Sequence, residues 1–176
     1  MATQSLSRTE TRPVAIIDFA ASCLPEAGES YPIEVALAKV DGSTRSWLIR
    51  PAAEWRYWDW SPEAEHLHGI SRTMLSERGQ HPQQVLDELM AEAAGCEVYA
   101  DCDLDAYWLE VLAQACGCAA PFRVRYLGEL LCARGVSRGD VVAALDRAGR
   151  LLPSEPVARG DASRLALAVR LLAPVG

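Results

Sequence analysis

The sequence predicts an α/β domain built on a mixed five-stranded sheet flanked by α-helices. Two observations carry this expectation. Three β-type segments follow one another near the start, separated by turn residues, and the rest of the chain alternates short apolar runs with segments of helical period. The 176 residues suffice for one domain with a sizeable core. Half of them are apolar and 23% are charged, with no internal repeat or low-complexity block.

Taken in order, residues 1–12 read as a flexible tail and 13–176 as a single domain. The opening "MATQSLSRTETRP" has no apolar segment of the kind a signal peptide needs, so the expected compartment is the cytoplasm. Ala15, Ile16 and Ile17 then read as a buried strand that delivers Asp18 to its end. "YPIEVALAKV" places Ile33, Val35 and Leu37 on one face, "DGS" turns, and "TRSWLIR" returns, which makes an antiparallel meander closed by Pro51. "EWRYWDWSPEAEHLHGISRTML" reads as an aromatic-rich loop leading into a short helix.

"HPQQVLDELMAEAAG" predicts an amphipathic helix with Pro82 in its first turn, Val85, Leu86, Leu89 and Met90 on one face, and Gly95 as its stop. The strand "CEVYA" runs into "DCDLDAYWLEVLAQACG", where Leu104, Trp108, Leu112 and Ala115 fall at helical spacing. "FRVRYL" holds a strand whose end merges with the helix "LGELLCARG". "SRGDVVAALDRAG" predicts a helix from a Ser start to a Gly stop. The last helix, "RGDASRLALAVRLL", puts Ala162, Leu165, Ala166 and Val169 on one face, with Asp161 at its entrance.

Composition excludes several functions. No apolar run approaches the roughly 20 residues of a membrane span. The six cysteines are expected to stay reduced, and "CGC" at Cys116–Cys118 lacks the second close pair that a zinc site needs. A net charge of −7 argues against tight electrostatic gripping of long duplex nucleic acid, though not against a short strand held through divalent ions.

Three carboxylates are candidates for chemistry. If the first and fourth strands are neighbours, Asp18 and Asp105 approach each other, and a helix packed across them brings Asp161. Such a cluster repels itself unless a cation neutralises it, and hard oxygen ligands suit Mg²⁺ or Mn²⁺. Each residue also has a structural reading: Asp161 as a helix cap, Asp105 opposing the positive end of a helix, and Asp18 beginning a turn. Spacing alone leaves both readings open.

The ordered set "IDFAAS", "SYPIEVALAKVDG", "HLHGISRTML", "VYADCDLDAYWL" and "PVARGDASRLALA" resembles the DEDDh family of 3′-to-5′ exonucleases, of the proofreading-exonuclease type. The resemblance runs from about Val14 to Leu171. It implies a ribonuclease H-like fold and two divalent ions held by four acidic residues, with a histidine as general base. It maps the metal-binding and catalytic positions onto Asp18, Asp105 and Asp161, and implies that Ala20, Ser22, His68, Gly69 and Trp108 border the substrate, a nucleotide or the 3′ end of a single strand.

The chain departs from the family pattern twice: Ala20 stands at the glutamate of the first motif and Pro156 at the histidine of the third. Losing a general base removes about 10²- to 10⁴-fold in rate, and a missing carboxylate weakens one ion as well. The expectation is therefore a degenerate exonuclease, impaired or inactive, with weak or no Mg²⁺ or Mn²⁺ binding. Glu26, Glu29, Asp101, Asp103 and three histidines, His66, His68 and His81, are the nearby candidates for a replacement. Two other readings stay open: an active exonuclease with rearranged ligands, and a homodimeric interaction scaffold with a vestigial cleft. Among Trp55, Tyr57, Trp58 and Trp60, core packing is expected for Trp58 or Trp60, with base stacking open to the rest.

Overall fold

A computed structural model describes residues 12–152 and 157–172. The predicted tail and Pro156 lie outside these residues, Arg12 excepted. Strands β1 (Val14–Ala21), β2 (Pro32–Lys39), β3 (Thr44–Leu48), β4 (Glu97–Ala100) and β5 (Val124–Tyr126) form one sheet in the order β3-β2-β1-β4-β5. The β1-β2-β3 meander is antiparallel, as predicted, whereas β4 and β5 join it in parallel. Neighbouring β1 and β4 satisfy the condition set by the sequence for gathering Asp18 and Asp105.

Strict alternation along β1 and β2 sorts the side chains onto two unlike faces. Ile17, Phe19, Ile33, Val35 and Leu37 point into the larger core, where Trp47, Leu86, Leu89, Leu109 and Leu112 also sit. Helices α3 (Pro82–Ala93) and α4 (Leu104–Ala115) cover this face. The opposite face carries Ile16, Ala36 and Ala38, and helix α7 (Ala158–Leu171) packs there through Ala158, Ala162, Ala166 and Val169. Helix α6 (Arg138–Leu151) lies against α7, and the short α5 (Leu127–Ala133) follows β5 directly.

Several expectations are corrected. The aromatic segment leads to two short helices rather than one, α1 (Pro62–His68) and α2 (Arg72–Arg78), because Ser61 and Ser71 each cap a separate first turn. Gly69 divides them, since its left-handed φ of 69° ends α1. Met90 is exposed: the buried stripe of α3 is Pro82, Val85, Leu86, Leu89 and Ala93, and at 100° per residue position 90 falls beyond its edge. Gly149 does not stop α6, because its backbone is not left-handed and the helix runs on to Leu151. Among the aromatics Trp55 fills the core, stacked on Tyr31 at 5.4 Å; Trp58 and Trp60 are half-buried and pack against that core, as expected of at least one of them, and Tyr57 is exposed.

Candidate active site

The small-residue face of the sheet ends in a cavity of about 440 Å³ between β1, α1, α4 and the start of α7. Asp18, Ala20, His68, Trp108, Ala158 and Asp161 line it. Asp18 and Ala20 reach it because alternate residues of β1 share that face, and their partners across β2 are Ala36 and Glu34. The register shifts between Ala20 and Ala21, and Ala21, Cys23 and Leu24 beyond it also line the cavity.

The chain leaves β4 through Asp101, Cys102 and Asp103 and enters α4, which buries Asp105 almost completely. One oxygen of Asp105 accepts the backbone N–H of Phe19 at 2.9 Å, and the other accepts the thiol of Cys102 at 3.3 Å. Asp105 thus ties α4 to the end of β1. Burial and the Asp105 charge push the Cys102 thiol up to about 11, so the sulfur remains a protonated donor rather than a thiolate.

Asp161 occupies the first turn of α7 and forms an ion pair with Arg164. The same helix end is fixed by Glu34, whose carboxylate accepts the N–H of Ala158 at 3.0 Å. Glu34 is buried and supplies an acceptor to a helix N-terminus that its own cap residue, Val157, leaves uncapped by any side chain. A glutamate inside the apolar run "PIEVALA" was the available signal for this residue, since a buried carboxylate in such a strand needs a donor.

Electrostatics unite these groups. Burial, then repulsion from Asp105, Asp161, Asp101 and Glu34, pushes the Asp18 carboxyl up to about 9. Burial likewise pushes Asp105 up to about 7 with Asp101 adding to the rise, against the opposing pull of the Cys102 and Phe19 hydrogen bonds. Asp101, though exposed, is also raised, by desolvation and by Asp161. Ligand atoms of Asp101, Cys102 and Asp105 lie within 4.8 Å of one another. The mutually repelling carboxylates suit a hard divalent cation, whose charge would relieve the repulsion, although among the described residues no group of three that includes Asp18 or Asp161 is as tight as Asp101, Cys102 and Asp105. Ala20 adds no oxygen to that set.

His68 is buried, and its Nδ1 accepts the N–H of Ile70 at 3.0 Å. That bond assigns the proton to Nε2, which has no partner among the described residues. Desolvation lowers the His68 pKa, so the ring is a neutral donor at the cavity wall. Trp108 is held there by its indole N–H, which donates to Ser30 at 3.1 Å.

The remaining sequence candidates lie elsewhere. Ser22 is fully buried and accepts the N–H of Tyr31 at 3.2 Å, and Gly69 forms the turn after α1. His81 caps α3, while His66 and Asp103 are exposed, and none of the three lines the cavity, nor do Glu26 and Glu29.

Neither a protein-family model nor a curated protein sequence matches the chain. Solved structures do, and they place the architecture in one class: a ribonuclease H-like fold of the DEDDh 3′-exonuclease type. The nuclease domain of 3′hExo, a DEDDh family member bound to rAMP, superposes with a TM-score of 0.68 at 20% identity over 94% of each chain. A 3′-exonuclease in 3′-end-specific recognition of a histone mRNA stem-loop gives 0.67 at 18% identity, over 95% of this chain and 65% of that one. The metal-free form of the Escherichia coli ExoI–ssDNA complex gives 0.59 at 14% identity, over 90% of this chain and 38% of that one.

Proposed function

We propose that this domain binds a nucleotide or the 3′ end of a single strand in the Asp18 cleft and has lost most of the hydrolytic activity that the fold supports elsewhere. The observation that carries the proposal is Ala20. It lines the cavity beside Asp18 and Asp161, at the position where the family motif has a glutamate, so the cluster lacks one ligand for a second ion. Nucleic-acid ligands in the similar structures, rAMP, an mRNA stem-loop and single-stranded DNA, support the choice of ligand.

Asp18, Asp105 and Asp161, with Asp101 beside them, would hold one Mg²⁺ or Mn²⁺, which when bound neutralises phosphate charge and polarises water. The rest of the reading concerns the protein's own groups. The Nε2–H of His68 donates to an acceptor on the bound nucleotide, which satisfies a buried donor otherwise left without a partner. Trp108, fixed through Ser30, offers an apolar wall for a base or sugar.

The direct test is incubation of the purified chain with Mn²⁺ and short single-stranded DNA or RNA. The expected result is calorimetric binding of a nucleoside monophosphate with barely detectable turnover. Rapid cleavage abolished by Asp18→Asn would overturn the impairment.

A second reading, an active exonuclease with rearranged ligands, is favoured by one arrangement: Asp101 and Asp105 lie close enough to share an ion. It predicts that Asp101→Asn removes turnover as completely as Asp18→Asn does.

A further inference from the structure

A second concavity, about 590 Å³, runs along α7 on the side facing the β2-β3 hairpin. Lys39, Gly42, Thr44, Arg159, Ser163 and Arg170 form its polar wall. Arg159, Ser163 and Arg170 recur along one side of the helix, and the 11 residue steps from Arg159 to Arg170 span about 16 Å at about 1.5 Å per step. That length exceeds a single phosphate and matches several consecutive nucleotides.

Charge in the groove runs against the rest of the molecule. The chain carries a net −7, yet two exposed guanidinium groups stand at the two ends of this groove. Neither has a carboxylate partner among the described residues. Lys39 contributes less, because Glu92 holds its ammonium at 2.6 Å. Between the cations, the hydroxyls of Thr44 and Ser163 share one hydrogen bond at 3.1 Å. Whichever donates, the other hydroxyl keeps its proton for an outside acceptor. At the hairpin, Gly42 has a φ of 107° and lies in contact range of the Arg170 guanidinium.

The groove also begins where the cleft ends. Arg159 and Gly160 line the groove, and the next residue, Asp161, lines the Asp18 cavity. We propose that this groove is a track for the phosphodiester backbone of a single nucleic-acid strand, holding the phosphates upstream of the 3′ end seated in the Asp18 cleft. The direction of the strand rests on the reading of the cleft given above; the groove's affinity for the backbone does not. Arg159 and Arg170 each contact a phosphate, and the free hydroxyl of the Thr44–Ser163 pair donates to an oxygen between them.

The test measures fluorescence anisotropy of a labelled short single-stranded DNA across a NaCl series, with EDTA present to prevent cleavage. The wild type is compared with Arg159→Gln/Arg170→Gln, whose two positions are exposed and belong to none of the core clusters. Calorimetry of dAMP with Mn²⁺ on both proteins reports the cleft separately. Each phosphate contact on a single strand contributes about 0.7 to the slope of log K against log salt, so the double variant should lower that slope by about 1.4 and leave dAMP binding unchanged. An unchanged slope overturns the track, as does a wild type that binds no oligonucleotide. A lowered slope in a protein that never binds dAMP keeps the track and overturns the cleft reading. Equal binding of a blunt duplex, with the same loss of slope, overturns the assignment to a single strand.

Discussion

The two faces of the sheet are built on opposite principles. On the α3/α4 side, large side chains such as Ile17, Phe19, Leu37, Trp55 and Leu109 interlock and hold no carboxylate of the cluster except Asp105 at the rim. On the α7 side, Ala36 and Ala38 face Ala158, Ala162 and Ala166, so the helix approaches the strands closely and brings Asp161 to Asp18. One face supplies stability through buried volume. The other gives up volume for proximity, and carries the charge repulsion that proximity brings.

The largest effect that tests this contrast is on the large-residue face. Trp55→Ala should cost about 3–5 kcal/mol in denaturant unfolding, from lost burial and the cavity left beside Tyr31. A loss below about 1 kcal/mol would mean that the aromatic cluster is not part of the core. On the small-residue face the damaging change is enlargement. Ala162→Leu should cost about 1–3 kcal/mol by overpacking and, by lifting α7, weaken Mn²⁺ binding in calorimetry as well. Glu34→Ala removes the acceptor for the Ala158 N–H and should cost about 1–3 kcal/mol.

A pH effect separates the faces further. An aspartate raised to about 9 in the folded state keeps a proton that the unfolded chain releases above its ordinary value of 3.8. Metal-free protein should therefore lose stability as pH rises from the ordinary carboxylate range through about 9. Asp18→Asn should flatten that part of the melting-temperature profile, and Mn²⁺ should restore stability at the alkaline end. The smallest effect is at Tyr57, 85% exposed, where Tyr57→Ala should change stability by no more than about 0.5 kcal/mol; a lower affinity for single-stranded DNA would then assign that ring to ligand contact.

Much of the fold was readable because periodicity and turn chemistry are local signals. The alternation of Ile33, Val35 and Leu37 gave the buried face of β2, and the two assumptions behind the aspartate cluster, neighbouring first and fourth strands and a last helix packed across them, match the β1-β4 pairing and the packing of α7 on β1. What stayed hidden depends on tertiary partners. Which tryptophan fills the core is decided by Tyr31, distant in sequence, and the continuation of α6 past Gly149 by packing of Ala148 against α7. Glu34 stands out in the sequence as a carboxylate inside an apolar run, but that it holds the start of α7 shows only through its distant donor, Ala158. The two-oxygen tether of Asp105 to Phe19 and Cys102 was equally invisible in one dimension.

The pairing of Asp161 with Arg164 has a consequence for ion exchange. Arg164 sits one helical turn further along α7, so it is a resident counter-ion that travels with the carboxylate. With about half of Asp161 in solvent, such a pair is worth about 0–1 kcal/mol. A divalent ion held at Asp18, as proposed above, would displace the guanidinium at little cost, and on its departure Asp161 would have a partner already in place. Loading and unloading of such an ion would in this sense be a swap of cations on one carboxylate, with no need for the helix that carries it to move.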